Sequence, residues 1–180
     1  LYHARLMQKV KLPIKIDPVR CAAKRLDYVG VVERPQLQRL GESVVDVLDD
    51  VEASLSFGTD AQGLTVIEGS AQTRVMLECQ RCGEHFEYHC DVGFVYSPLS
   101  AKVEEDELPD VYEPIELDEN GEIDLLQLLE DEIILSLPIV PMHAEHECKQ
   151  AGAQMSWGEI EPADERPNPF AALNSLKHGK

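Results

Sequence analysis

The stretch ECQRCGEHFEYHC, Glu78 to Cys90, carries Cys79, Cys82 and Cys90 together with His85 and His89. A Cys-x-x-Cys followed by glycine, on a turn between two strands, aims both sulfurs at one tetrahedral centre, which is half of a zinc knuckle. Two further soft or imidazole ligands are needed to close such a site. His85 and His89 are out of phase with Phe86, Tyr88 and Cys90, so on a strand they occupy the opposite face, and their spacing is far shorter than that of a zinc finger. The distant candidates are His143, His146 and Cys148, in PMHAEHECK. Two other readings stand beside metal. Cys79 and Cys90 fall in the apolar phase of their strands, where free cysteine is commonly buried and inert. A redox pair fits less well, because a reactive Cys-x-x-Cys usually opens a helix whose N-terminus depresses a thiol pKa, and no helix follows here. Cys21, on a predicted helix, reads as core.

The elements that must position this stretch are legible from periodicity. From Asp50 the apolar period is two: Val51, Ala53, Leu55 and Phe57 share one face, DAQG at 60–63 supplies a turn, and Leu64, Val66, Thr73, Val75, Leu77 and Cys79 continue the apolar phase. Gly69-Ser70 predicts a bulge. Phe86, Tyr88, Cys90, Val92, Phe94 and Tyr96 form a third strand, so CQRCG lies at the second hairpin of an antiparallel meander. Upstream, Gln8 to Ile16 alternates lysine with apolar residues and predicts an edge strand containing Pro13. Asp17-Pro18 predicts a capped helix to about Leu26, and Pro35 a second helix over Gln36 to Ser43. Residues 98–122 are acidic and broken by prolines, an expected loop with at most a short strand near Tyr112 to Leu117. Ile123 to Leu137 predicts a helix with Ile123, Leu126, Leu129 and Ile133 along one line, Leu125 and Leu128 beside it, and Asp124, Gln127 and Asp131 in water. Pro138 and Pro141 end it. The expected architecture is α+β: an antiparallel meander with short N-terminal helices and an acidic amphipathic C-terminal helix.

With 180 residues, 43% of them hydrophobic, the chain can bury one ordinary core. The expected organisation is a single domain over 7–158, then a linker and short helical tail over 159–180. Met7 reads as a natural start, leaving 1–6 as an upstream extension or cloning remnant. No apolar run approaches the roughly 20 residues a bilayer requires, and no secretory apolar stretch opens the chain, so a cytosolic protein is expected. Five cysteines in a reducing compartment argue against a disulfide framework. Walker, nucleophile-elbow and His-Glu-x-x-His signatures are missing, and the carboxylates occur in runs rather than as tuned pairs, so neither an enzyme nor a small-molecule substrate is expected. The formal net charge is −18, which repels nucleic acid from the body as a whole. The charge is nonetheless bipolar, with a basic head over 1–39 and no lysine or arginine from Val103 to Glu132.

MQKVKLP with DPVR, ECQRCG, YEPIE with GEIDL, EDEIILSLPIVP and the closing NPFAAL-SLK resemble the YceD-type family of large ribosomal RNA subunit accumulation proteins, from about Met7 to Lys177. The resemblance implies a non-enzymatic role in the synthesis, processing or stability of large-subunit ribosomal RNA. It also implies a cysteine-rich segment after Leu-Pro-x-x-Pro. Here His143 stands where the first of those cysteines would fall and Cys148 remains, so Cys79, Cys82, His143 and Cys148 are the expected ligands if one structural zinc is held, with His146 the alternate.

Three mechanisms follow. Lys9, Lys11, Lys15, Arg20, Lys24, Arg25, Arg34 and Arg39, with Arg81 on the knuckle, could contact phosphates of precursor ribosomal RNA or of a pre-ribosomal particle, although several of the lysines could equally guard an edge strand. Alternatively, the acidic segment including Glu104, Glu105, Asp106 and Glu107 could hold a basic ribosomal protein, with Phe170, Leu173 and Leu176 as a helical anchor. The third, least favoured, is thiol redox chemistry at Cys79 and Cys82.

Overall fold

The computed structural model describes residues 10–99 and 108–148, which belong to one compact unit, residues 1–149. Its elements run β1 (Lys15–Ile16), α1 (Pro18–Lys24), β2 (Asp27–Val32), a 3₁₀ turn (Arg34–Gln36), α2 (Gln38–Ser43), β3 (Asp46–Val47), β4 (Val51–Thr59), β5 (Thr65–Glu78), β6 (His85–Pro98), β7 (Glu113–Ile115), β8 (Ile123–Asp124), α3 (Leu125–Ser136) and a final 3₁₀ turn (Glu145–Glu147). The main sheet has the order β2-β4-β5-β6-β7, and β3 pairs with β5 beyond the start of β4.

The alternation in β4 and β5 does what its period requires. Val51, Ala53, Leu55, Phe57, Ile67, Ala71, Val75 and Leu77 are buried on one face, and the outer face is polar, with the hydroxyls of Ser54 and Ser70 bonded across it at 2.9 Å. α1, α2 and α3 cover the inner face. Asp17 accepts the amide N–H of Arg20 and Asp124 that of Gln127, both at 2.9 Å, side-chain caps worth about 1 kcal/mol each. α3 buries Leu125, Leu129 and Ile133 completely. Each such side chain contributes about 1.5–3 kcal/mol. Glu130, also on α3, is 3% exposed and accepts the Leu40 N–H at 3.1 Å, tying α2 to α3. The Tyr96 hydroxyl donates to Glu132, tying β6 to the same helix.

The α+β class holds, with several local corrections. No bulge interrupts β5: Gly69 pairs Leu55 and Phe94 in unbroken register. Glycine is needed there because a Cβ would lie 2.3 Å from the Phe94 ring. Gln8 to Ile16 is not one edge strand. Lys11 makes a single parallel bridge to Val31, and beyond Pro13 the chain turns to pair β1 with β8. β2 was unforeseen, the second helix starts at Gln38 rather than Gln36, and Ile123–Asp124 is a strand that precedes α3. β7 runs parallel to β6, so the sheet is antiparallel everywhere but at that edge.

Candidate metal centre and charged surfaces

β5 and β6 have 14 residues each, roughly 45 Å at 3.3 Å per residue. β4 pairs only with Thr65–Gln72 of β5, so the hairpin reaches past it and carries the Cys-x-x-Cys at its far end. There the Gly83 N–H donates to the Cys79 carbonyl and the Cys79 N–H to that of Glu84, both at 2.8 Å. Gly83 closes the turn at φ 74°, a left-handed conformation that favours glycine.

The second half of the cluster arrives from α3. Pro138 ends the helix, and the Gln80 N–H donates to the Pro141 carbonyl at 2.9 Å, fastening the departing chain to the knuckle. The Arg81 guanidinium lies 3.5 Å from the Met142 sulfur. The His143 ring stacks on Phe86, centroids 5.2 Å apart and planes 20° from parallel. The 3₁₀ turn then brings Cys148 back, its N–H on the Ala144 carbonyl. The ligand atoms of Cys79, Cys82, His143 and Cys148 all lie within 4.8 Å of one another. Ligands on a tetrahedral zinc, with bonds of about 2.0–2.3 Å, stand roughly 3.3–3.8 Å apart, and the Cys82 sulfur is already 3.8 Å from His143 Nε2. Three thiols and an imidazole form a soft donor set that suits zinc, and the residues fit it.

Electrostatics distinguish the thiols. Burial works to raise the Cys79 pKa, but N–H groups of His143, Arg81 and Cys82, with the Cys82 side chain, overcome it and pull the thiol down to about 6. Cys82 moves up, first through burial and then through its Cys79 and Cys148 neighbours. Cys79 is therefore the first thiolate that a cation would meet.

Cys90 is buried in the sheet core and Cys21 on the buried side of α1, outside the cluster. The alternate ligand is corrected: the His146 side chain is 81% exposed beside Glu147 and does not join the cluster. His85 and His89 are exposed on the outer face of β6, as their phase predicted. Phe86 and the Pro141 carbonyl, which hold the second half-site in place, were not anticipated; the proline-terminated helix was the available signal for the latter.

The basic head divides. Lys11 pairs with Glu33 at 2.7 Å, Lys15 with Asp118 at 2.7 Å, Arg34 with Asp46 at 3.7 Å and Arg39 with Asp131 at 2.6 Å. Asp118 also accepts the N–H groups of Asn120 and Glu122. The Lys15 bond first, with those backbone bonds, lowers its pKa to about 2. Arg20 and Lys24 stand four residues apart on exposed positions of α1, a same-face spacing, and Arg25 follows in the left-handed region at φ 50°. These three make no ion pair among the described residues. Lys9, Glu104, Glu105, Asp106, Glu107, Phe170, Leu173 and Leu176 lie outside the described residues.

Fold and site together define an α+β protein whose long hairpin ends in a knuckle facing a histidine and a third cysteine. The chain belongs to the family described as large ribosomal RNA subunit accumulation protein YceD: the family's sequence model matches residues 67–177. A relative of that name from Haemophilus influenzae is 49% identical over 172 residues, 95% of this chain and 99% of that one. No solved structure matches. The family name is that of an accumulation factor for large-subunit ribosomal RNA rather than of an enzyme, which places the chain broadly in ribosome biogenesis. No described helix is long and apolar enough to cross a membrane.

Proposed function

We propose that this protein promotes the synthesis, processing or stability of large-subunit ribosomal RNA by docking on precursor RNA or on assembling particles in the cytoplasm, with no chemistry of its own. In this reading Cys79, Cys82, His143 and Cys148 hold one structural zinc that fixes the knuckle and the orientation of Arg81. The observation that carries it is the distribution of cations. Among the described residues, Lys11, Lys15, Arg34, Arg39 and Arg74 face carboxylates. Arg20, Lys24, Arg25 and Arg81 do not.

In a body of net charge −18, only a cation that is not internally neutralised can hold a phosphate. Such contacts supply affinity and salt dependence without reading sequence. The set of phosphate-binding residues is therefore narrower than the basic head as a whole, and Lys11, Lys15, Arg34 and Arg39 serve the fold instead. The test is filter binding of the full chain to a precursor large-subunit RNA transcript across a salt series. Charge reversal of Arg20, Lys24 and Arg25 together should weaken binding at least tenfold and reduce the salt slope by about 2–3, close to one for each phosphate no longer held. An unchanged affinity and slope would refute RNA docking through α1.

A further inference from the structure

α3 and the segment after it carry an apolar surface that neither the core nor the metal cluster uses. Leu135 is 79% exposed and Ile139 95%, with Val140 and Met142 about half exposed beside them. Four solvent-facing aliphatic side chains within eight residues offer apolar area that a partner can bury. The strip is also held in place at both ends. The Leu137 N–H bonds to the Ile134 carbonyl where α3 stops, and the Pro141 carbonyl is bonded by the Gln80 N–H on the knuckle. A partner would meet it preorganised, with little ordering cost.

N-terminal to Leu135, α3 borders a groove of about 560 Å³ lined by Glu116, Asp118, Glu122, Asp124 and Asp131, among others; its one lysine, Lys15, is paired with Asp118, and Asp131 with Arg39, which leaves Glu116, Glu122 and Asp124 to set its sign. Asp124, Asp131 and Leu135 follow helical spacing along one side. An acidic groove at the start of α3 is thus followed by exposed aliphatic side chains at the helix end, Leu135, and in the segment after it, Ile139, Val140 and Met142. Nucleic acid does not suit it: phosphates are repelled by the groove, and bases seek aromatic platforms, which the strip lacks. A protein segment with basic residues at one end and aliphatic anchors at the other matches both halves.

We infer that the outer side of α3 and the Leu135–Met142 strip form a docking surface for a basic amphipathic segment of a partner protein. That the partner is a basic protein of the large ribosomal subunit rests on the function proposed above; the surface itself does not.

The experiment uses the full chain and two probes: RNA-free total protein extracted from large ribosomal subunits, and a synthetic 14-residue helical peptide of leucine and lysine. Both should bind wild type at low salt. Leu135→Glu with Ile139→Glu, and separately Glu116→Lys with Glu122→Lys, should each weaken binding at least tenfold, while charge reversal of Arg20, Lys24 and Arg25 should leave it unchanged. All the altered side chains are at least partly exposed, so far-UV circular dichroism should match wild type. Absence of binding by both probes, or peptide binding equal in the Leu135/Ile139 variant, overturns the surface. So does a wild-type dimer in sedimentation that this variant dissolves, since the strip would then bind its own copy. Peptide binding that depends on both sites, with no subunit protein retained, keeps the surface and refutes the ribosomal partner. RNA binding through α1 is read separately and can fail or stand on its own.

Discussion

Cys79 shows how a side chain acquires a role from its neighbours. Alone it is a buried sulfur at a strand end; the N–H groups of the turn and of His143 turn it into a low-pKa thiol beside two others and an imidazole. The purified protein should therefore carry one zinc per chain by elemental analysis, and Cys79→Ser should lose most of it together with cooperative unfolding of the knuckle, since structural zinc binding is worth on the order of 10 kcal/mol. A metal-free wild type of equal stability would refute the site. Asp118 supplies a pH signature. Its folded pKa of about 2 lies below the ordinary 3.8, so its stabilisation is present above about pH 4 and lost as the pH falls toward 2. Asp118→Asn should be less stable at neutral pH, and its acid limb should be flatter between pH 4 and 2; parallel acid curves would show that the Lys15 clasp contributes nothing. Both half-sites were visible in the sequence as candidate residues because turn spacing and proline punctuation are local signals. Glu130 was not, since its burial depends on the Leu40 amide 90 positions away, and an acidic run offers no sign of which carboxylate turns inward.

At the level of elements, the period of two exposed β4, β6 and the second half of β5; at the start of β5 it chose Leu64 and Val66, whereas Ile67 is the buried residue, and β2 escaped because its burial is confined to one end, from Gly30 to Val32. The bulge at Gly69 was a reasonable reading of glycine in a strand, yet the cause is a cross-strand one, the Phe94 ring lying over the glycine. Gly69→Ala should then push Phe94 out of its place and cost about 1–3 kcal/mol, measurable as a lower urea midpoint. Phe94→Leu in the same chain should recover part of that loss by removing the obstructing ring. A neutral Gly69→Ala would return the residue to the role of mere strand weakener. Parallel β7 was illegible for a different reason: a three-residue strand after an acidic, proline-broken stretch of sequence carries too little pattern to fix its direction.

The molecule as a whole separates its charges along the long hairpin. α1 packs on β4 and β5, while Arg81 and the cysteine cluster sit past Glu78 at the far end of β5. From Gln72, where β4 pairing ends, to that tip is about 20 Å of strand, well beyond the range at which substitutions usually couple. The core joining the two ends is built on Leu125, Leu129 and Ile133 against the sheet, and none of the four cluster residues belongs to it. Removing the metal should therefore disorder the knuckle and lower RNA affinity through Arg81, while leaving α1 intact. Charge reversal of Arg20, Lys24 and Arg25 should weaken RNA binding by the same factor, within about twofold, in zinc-loaded and in chelated protein, because independent sites add to within roughly 0.5 kcal/mol. A factor that collapses on chelation would mean that the knuckle positions the α1 cations, and that the two ends act as one site despite the strand between them.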